Sequence, residues 1–159
     1  MNKLNFMGIG PIIGGIALPW LALTFYFSVK FKNTFTFVED ETRIIYYVGL
    51  ALVIIGAILY FLTIPALLKG LKETKLITTG TYYLCRNPLY TAIILFIIPG
   101  ISFMMNSWLI ITTSIIAYIL FKFFIKREYA EMEKFFGDNY RRYSAETPEF
   151  FPFPKNKWF

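Results

Sequence analysis

Three stretches without a charged side chain govern what this chain can fold into. No charge falls between Lys3 and Lys30, 25 uncharged residues separate Arg43 from Lys69, and 34 follow one another from Pro88 to Phe121. At about 1.5 Å per helical residue, each of the first two crosses a hydrocarbon layer of about 30 Å. A chain of 159 residues that is 57% hydrophobic has no core large enough to hide them from water. The first run is too long for the h-region of a cleavable signal peptide and no small-residue cleavage site follows it, so it is expected to stay in the chain. The third run is too long for one helix. It predicts a helical hairpin with its turn near Met105-Asn106-Ser107 and a kink or thinning at Pro99-Gly100. Pro19 and Pro65 are expected to mark kinks or span ends. The expected fold is an all-α polytopic membrane bundle of about four transmembrane helices over 1–159, the third and fourth forming the hairpin.

The charges then sort by side. Thirteen of the 16 basic residues, including Lys3, Lys69, Lys72, Lys75, Arg86 and the eight from Lys122 onward, fall on one face of this layout, against Lys30, Lys32 and Arg43 on the other. An excess of lysine and arginine marks the cytoplasmic side, which places both termini and the loop around 69–87 there. Attraction of these residues to anionic headgroups accounts for the net charge of +6. No nucleic-acid partner is expected, since no DNA- or RNA-reading module is visible. With no histidine and one cysteine, the chain has no imidazole metal site, no Ser-His-Asp or Cys-His device and no intramolecular disulfide. Cys85 is expected to pack as a small hydrophobe. No apolar run holds an acidic residue that would mark an ion path, which argues against a transporter. Oligomeric state is not legible, although Gly14-Gly15, Gly49 and Gly56 leave surfaces for helix association.

Beyond the fourth span, charged and aromatic residues interleave. Tyr129, Met132, Phe136, Tyr140 and Tyr143 recur at spacings of three and four, which predicts an amphipathic cytoplasmic helix over 127–145 lying at the interface. Pro148, Pro152 and Pro154 stop helical continuation, and Phe150, Phe151, Phe153, Trp158 and Phe159 predict a tail pressed against the headgroups. Lys122, at the apolar end of the fourth span, is expected to snorkel to the surface.

Polar chemistry gathers in two clusters. In Leu76-Ile77-Thr78-Thr79-Gly80-Thr81-Tyr82, Gly80 permits a left-handed backbone. In Arg86-Asn87-Pro88-Leu89-Tyr90, Pro88 suits the first turn of a helix and Asn87 its N-cap. A helix start beside Arg86 would welcome a carboxylate or phosphate, although an ordinary interfacial helix start looks the same. The second cluster runs from Glu128 to Tyr143, where Glu128 is either functional or a surface partner of Lys126 or Arg127.

Taken together, the clusters resemble the integral membrane methyltransferase family that includes the isoprenylcysteine carboxyl methyltransferases and the phospholipid N-methyltransferases. In that family a Leu-Val-Thr-x-Gly-x-Tyr segment precedes Arg-His-Pro-x-Tyr at the start of a membrane helix. Leu76 to Tyr82 and Arg86 to Tyr90 match it, with Asn87 in the histidine position. A Glu-Glu pair, a leucine and Phe-Gly-x-x-Tyr-x-x-Tyr follow in the family, at the positions of Glu128, Met132, Phe136-Gly137, Tyr140 and Tyr143, and Pro148 falls in its proline-containing tail. The resemblance covers roughly residues 70–154; the first two spans carry no such signature. Tyr129 replaces the second glutamate, Ala92 stands where glycine often does, and Glu146 and Glu149 occupy positions often basic in the carboxyl methyltransferases.

The resemblance implies S-adenosylmethionine as cofactor and a lipophilic or lipidated acceptor arriving from membrane lipid. It puts Thr78, Gly80, Tyr82, Arg86, Asn87, Pro88, Tyr90 and Glu128 around the cofactor, Glu128 and Arg86 at the catalytic centre, and Tyr140 and Tyr143 against the substrate. Methyl transfer by in-line displacement rests mainly on positioning and needs no histidine. A carboxylate acceptor needs no base, whereas an amine must lose a proton, for which Glu128 is the candidate. Three functions stay open: an isoprenylcysteine carboxyl methyltransferase-like enzyme, a phospholipid N-methyltransferase, and a non-catalytic lipid-binding or assembly protein of the same fold.

Overall fold

The computed structural model describes residues 8–38 and 43–150. Its helices are α1 (Gly10–Lys30), α2 (Lys32–Phe35), α3 (Arg43–Glu73), α4 (Thr81–Leu84), α5 (Pro88–Met104), α6 (Trp108–Phe136) and α7 (Asp138–Glu146). Of these, α1, α3 and α6 are long and apolar enough to cross a membrane, and α5 is apolar but shorter. Their outer faces leave large side chains uncovered, with Phe61 69% exposed, a surface suited to lipid and costly in water. The chain is an integral membrane protein, all-helical among the described residues apart from an isolated Thr36–Ser107 bridge.

Helix α1 lies against α6, α6 against α5, and α5 against α3. Lipid supplies no hydrophobic drive for these contacts, so they depend on close packing and hydrogen bonds. Between α1 and α6 the Ser28 and Ser107 hydroxyls meet at 2.7 Å, those of Thr24 and Thr113 at 3.3 Å, and Trp20 Nε1 donates to Thr112 Oγ1 at 3.0 Å. On α3 the buried Gly49, Gly56, Thr63 and Gly70 recur every seven residues and share one face. A Cβ on Gly49 would stand 2.6 Å from the Gly100 carbonyl oxygen, and one on Gly56 2.7 Å from Ile97 Cγ1. Gly49 and Gly56 therefore seat α5 within the chain, whereas Gly15 faces open space.

Pro99 does not break α5, because the turns before it change register. From Ala92 to Ile97 the helix is a π-helix, and the Ile98 N–H bonds the Ile93 carbonyl five residues back. In that register Pro99 has no N–H to give Ile94. Ser114 of α6 supplies the missing donor, its hydroxyl reaching the Ile94 carbonyl at 2.7 Å. Ser114→Ala should cost about 1 kcal/mol, read as a lower thermal midpoint in detergent; an unchanged midpoint would show that this carbonyl needs no outside donor.

The turn after α5 falls at Met105–Ser107 as expected, with Asn106 at φ +49. Its amide clasps Val38, Nδ2 donating to the carbonyl at 2.8 Å and Oδ1 accepting the N–H at 3.3 Å. Two expectations are corrected. No separate amphipathic helix covers 127–145: α6 runs on from the apolar stretch to Phe136, since Lys, Arg, Glu, Ala and Met are good helix formers, and Gly137 at φ +55 ends it before α7. Phe150 does not face the headgroups; it is buried edge-on against Phe121, at a centroid distance of 4.7 Å, and Tyr118, at 5.6 Å. Lys3, Phe151, Pro152, Phe153, Pro154, Trp158 and Phe159 lie outside the described residues.

Candidate active site

The loop between α3 and α5 is held in place from three directions. At its start Gly70 allows close approach, since a Cβ there would stand 2.6 Å from Ile77 Cγ1, and the Lys75 N–H closes on the Gly70 carbonyl at 3.1 Å. Thr63 of α3 donates to Thr81 of α4 at 2.9 Å. Gly80, at φ +65 with nothing near its Cβ position, supplies the left-handed residue that opens α4. From the far end of the chain, residues 147–150 lie along the loop: the Arg86 N–H donates to the Pro148 carbonyl at 2.8 Å and Asn87 Nδ2 to the Glu149 carbonyl at 3.1 Å. Lys122 does not simply snorkel; its ammonium pairs with the Glu149 carboxylate.

Asn87 stands at the N-cap position of α5, yet its side chain makes no cap. Its amide is used elsewhere, with Nδ2 donating to the Tyr129 hydroxyl as well as to Glu149. Two of the departures from the pattern the sequence resembles, Asn87 for histidine and Tyr129 for glutamate, thus meet each other.

These elements enclose a cavity of about 470 Å³. Tyr82, Arg86, Asn87, Pro88, Tyr90, Glu128, Tyr140 and Tyr143 line it, while Thr78 and Gly80 do not. The aromatic stripe expected at the membrane interface faces inward instead, since Tyr129, Met132, Phe136, Tyr140 and Tyr143 all line this cavity. Ile12, Tyr60, Leu67, Leu71 and Ile93 give it an apolar wall. Sequence reasoning missed Gly8, Ile9 and Gly10; the glycines flanking Ile9 were the one available signal.

The polar groups are unevenly satisfied. Arg86 stacks its guanidinium on the Tyr129 ring at 4.7 Å, and its Nε is buried without a hydrogen-bond partner, as is the Tyr140 hydroxyl. Burial pushes the Tyr140 phenol above its usual range while Arg86 pulls the other way. Tyr143 differs, since its hydroxyl donates to the Tyr82 carbonyl at 2.7 Å. Arg86 and Tyr140 both line the cavity, but these two atoms are covered rather than open to it, and leaving such groups unpaired costs about 1–3 kcal/mol each.

Glu128 is not a surface partner of its neighbours. It sits past Ile125, where the apolar part of α6 gives way to Lys126 and Arg127, and Arg127 pairs instead with Glu131 at 3.6 Å. The half-buried Glu128 carboxylate accepts the Ile9 N–H at 3.3 Å. Burial pushes its carboxyl above the ordinary range; the Ile9 N–H opposes this and Glu131 adds to it. The Cys85 thiol is buried, and burial raises its pKa more than its bonds to Thr91 and Asn87 lower it, so it packs as a hydrophobe. The described residues hold no cluster of metal-binding side chains.

An arginine, a tyrosine and a carboxylate lining one apolar-walled cavity suit a zwitterionic ligand beside a lipophilic one. A family model described as phospholipid methyltransferase matches residues 44–139, from the start of α3 into α7. Two rice proteins named probable protein-S-isoprenylcysteine O-methyltransferase, from Oryza sativa subsp. indica and subsp. japonica, are each 28% identical over 146 residues, covering 84% of this chain and 75% of the relative. No solved structure gives a significant match.

Proposed function

Since this chain belongs to the phospholipid methyltransferase family, we propose that it moves a methyl group from S-adenosylmethionine to a lipophilic acceptor entering from the bilayer. It is a membrane methyltransferase. Bound S-adenosylmethionine supplies an electrophilic methyl on its sulfonium. The observation that carries the residue assignment is that Arg86 and Tyr140, each with a buried polar atom lacking a partner, line the same cavity as Glu128. Arg86 and Tyr140 hold the carboxylate of the cofactor's amino acid portion, and Glu128 attracts its cationic groups. Asn87 and Tyr129 keep the guanidinium face in place, while Tyr82, Pro88 and Tyr90 form the wall behind it. Tyr143, its hydroxyl engaged, offers its ring to the acceptor. Gly80 shapes the loop by opening α4.

In this reading α5 is the third of four spans, paired with α6, the fourth, as a hairpin, and the excess of basic residues favours a cytoplasmic side for the cavity and both termini. The relatives' names favour a carboxylate acceptor on a prenylated cysteine. Glu128 within the cavity favours an aminolipid, whose surplus proton it can take.

The test is incubation of the purified protein in nanodiscs with labelled S-adenosylmethionine and total membrane extract. Label should enter the lipophilic fraction, and its release by base would mark an ester whereas retention would mark an N-methyl group. Folded protein that binds no S-adenosylmethionine by calorimetry would instead support a non-catalytic lipid-binding or assembly role.

A further inference from the structure

The first span carries no recognisable motif, yet its first turn reaches the centre of the site. Gly8, Ile9 and Gly10 line the cavity, and the Ile9 N–H is the hydrogen-bond donor to the Glu128 carboxylate. Gly8 has φ +49, in the region L side chains avoid, and a Cβ there would stand 2.9 Å from Glu128 Oε2. At Gly10 a Cβ would come within 3.6 Å of the Tyr90 hydroxyl. Gly8 thus brings main chain, and nothing bulkier, against Glu128, whereas a Cβ on Gly10 would make only ordinary contact with Tyr90.

We propose that Gly8–Ile9–Gly10 is the positioning element of Glu128, with the Ile9 N–H fixing the carboxylate and Gly8 giving that N–H its approach. The proposal rests on Glu128 acting in methyl transfer. The groups that otherwise face this carboxylate are Tyr82 from α4, Tyr90 from α5, Tyr140 from α7 and Glu131 from its own helix. None of these is a cation, and Arg86 shares the cavity. The Ile9 N–H therefore works against burial in keeping Glu128 ionised.

Ile9→Pro deletes the N–H at a residue whose φ of −87 lies near what proline adopts. Ile9→Ala removes the same core packing but keeps the donor. The readout is infrared titration of the protonated-carboxyl band that Glu128→Gln abolishes, in full-length protein in nanodiscs. The midpoint should rise by about one pH unit in Ile9→Pro relative to Ile9→Ala, and the acid limb of kcat should move with it. Gly8→Ala should shift the midpoint in the same direction, while Gly15→Ala, in open space, should not. If Ile9→Pro does not fold, Gly8→Ala against Gly15→Ala decides the matter. Equal midpoints in the Ile9 variants, or in the two glycine variants, overturn the proposal whether or not the wild type transfers methyl groups. The expected shifts in a wild-type protein that transfers nothing would sustain the positioning role and overturn the enzyme reading alone.

Discussion

Replacing Arg86 with glutamine is expected to weaken S-adenosylmethionine binding about 10- to 100-fold. The change removes the guanidinium of a residue that lines the cavity, and a charge-assisted hydrogen bond contributes about 1.5–3 kcal/mol, with about 1.4 kcal/mol per tenfold in affinity. The fold should survive, because the Arg86 hydrogen bond to the Pro148 carbonyl runs through its main-chain N–H. Arg86→Lys keeps the charge but loses the planar group that stacks on Tyr129 and aims Nε, so its affinity should fall between the two. Isothermal titration in nanodiscs measures all three proteins. Wild-type affinity in a folded glutamine variant would remove Arg86 from the cofactor site.

Glu128→Gln should lower kcat about 100-fold if the acceptor is an amine and less than about tenfold if it is a carboxylate, because proton removal contributes only in the first case. Glutamine keeps an oxygen for the Ile9 N–H, so the loss reports charge and basicity rather than a collapsed site. The pH profile gives a second readout. Burial raises the Glu128 carboxyl above its ordinary range, so a base acting in the ionised form loses activity as pH falls through that raised value. Wild-type kcat should therefore show an acid limb above the usual glutamate range, and the glutamine variant should lack it. Unaltered turnover and an unaltered profile would leave Glu128 with a structural role only.

The runs free of charge made the long helices and the turn at Asn106 legible, because a membrane enforces length and polarity so strictly. The cavity's motif residues were legible for a different reason, since polar side chains such as Arg86, Asn87 and Glu128 stand out where apolar ones are the rule. Periodicity correctly placed Tyr129, Met132, Phe136, Tyr140 and Tyr143 on one face. It could not say what that face meets, and an aromatic stripe satisfies a cavity wall as well as a headgroup layer. Phe150 failed on the same ambiguity. Segment 8–10 was hidden because its contribution is a main-chain N–H, which has no compositional mark, and the glycines flanking Ile9 carry no chemistry of their own. The π-helical turns before Pro99 depend on Ser114, a partner 20 residues away, and no local pattern announces them.

The strap at 147–150 ties assembly of the site to the order in which the chain is made. The carbonyls of Pro148 and Glu149 hold Arg86 and Asn87 from more than 60 residues downstream, and Phe150 packs into the core that includes Ile9 and Ile13 of the first span. A nascent chain with its long helices already in the bilayer still lacks these contacts. The pocket is finished only after residue 150 has left the ribosome, so a ribosome-bound intermediate carries the motif residues without the clamp that sets them. A proteolytic cut before Thr147 would return the loop to that immature condition while leaving the apolar helices in place.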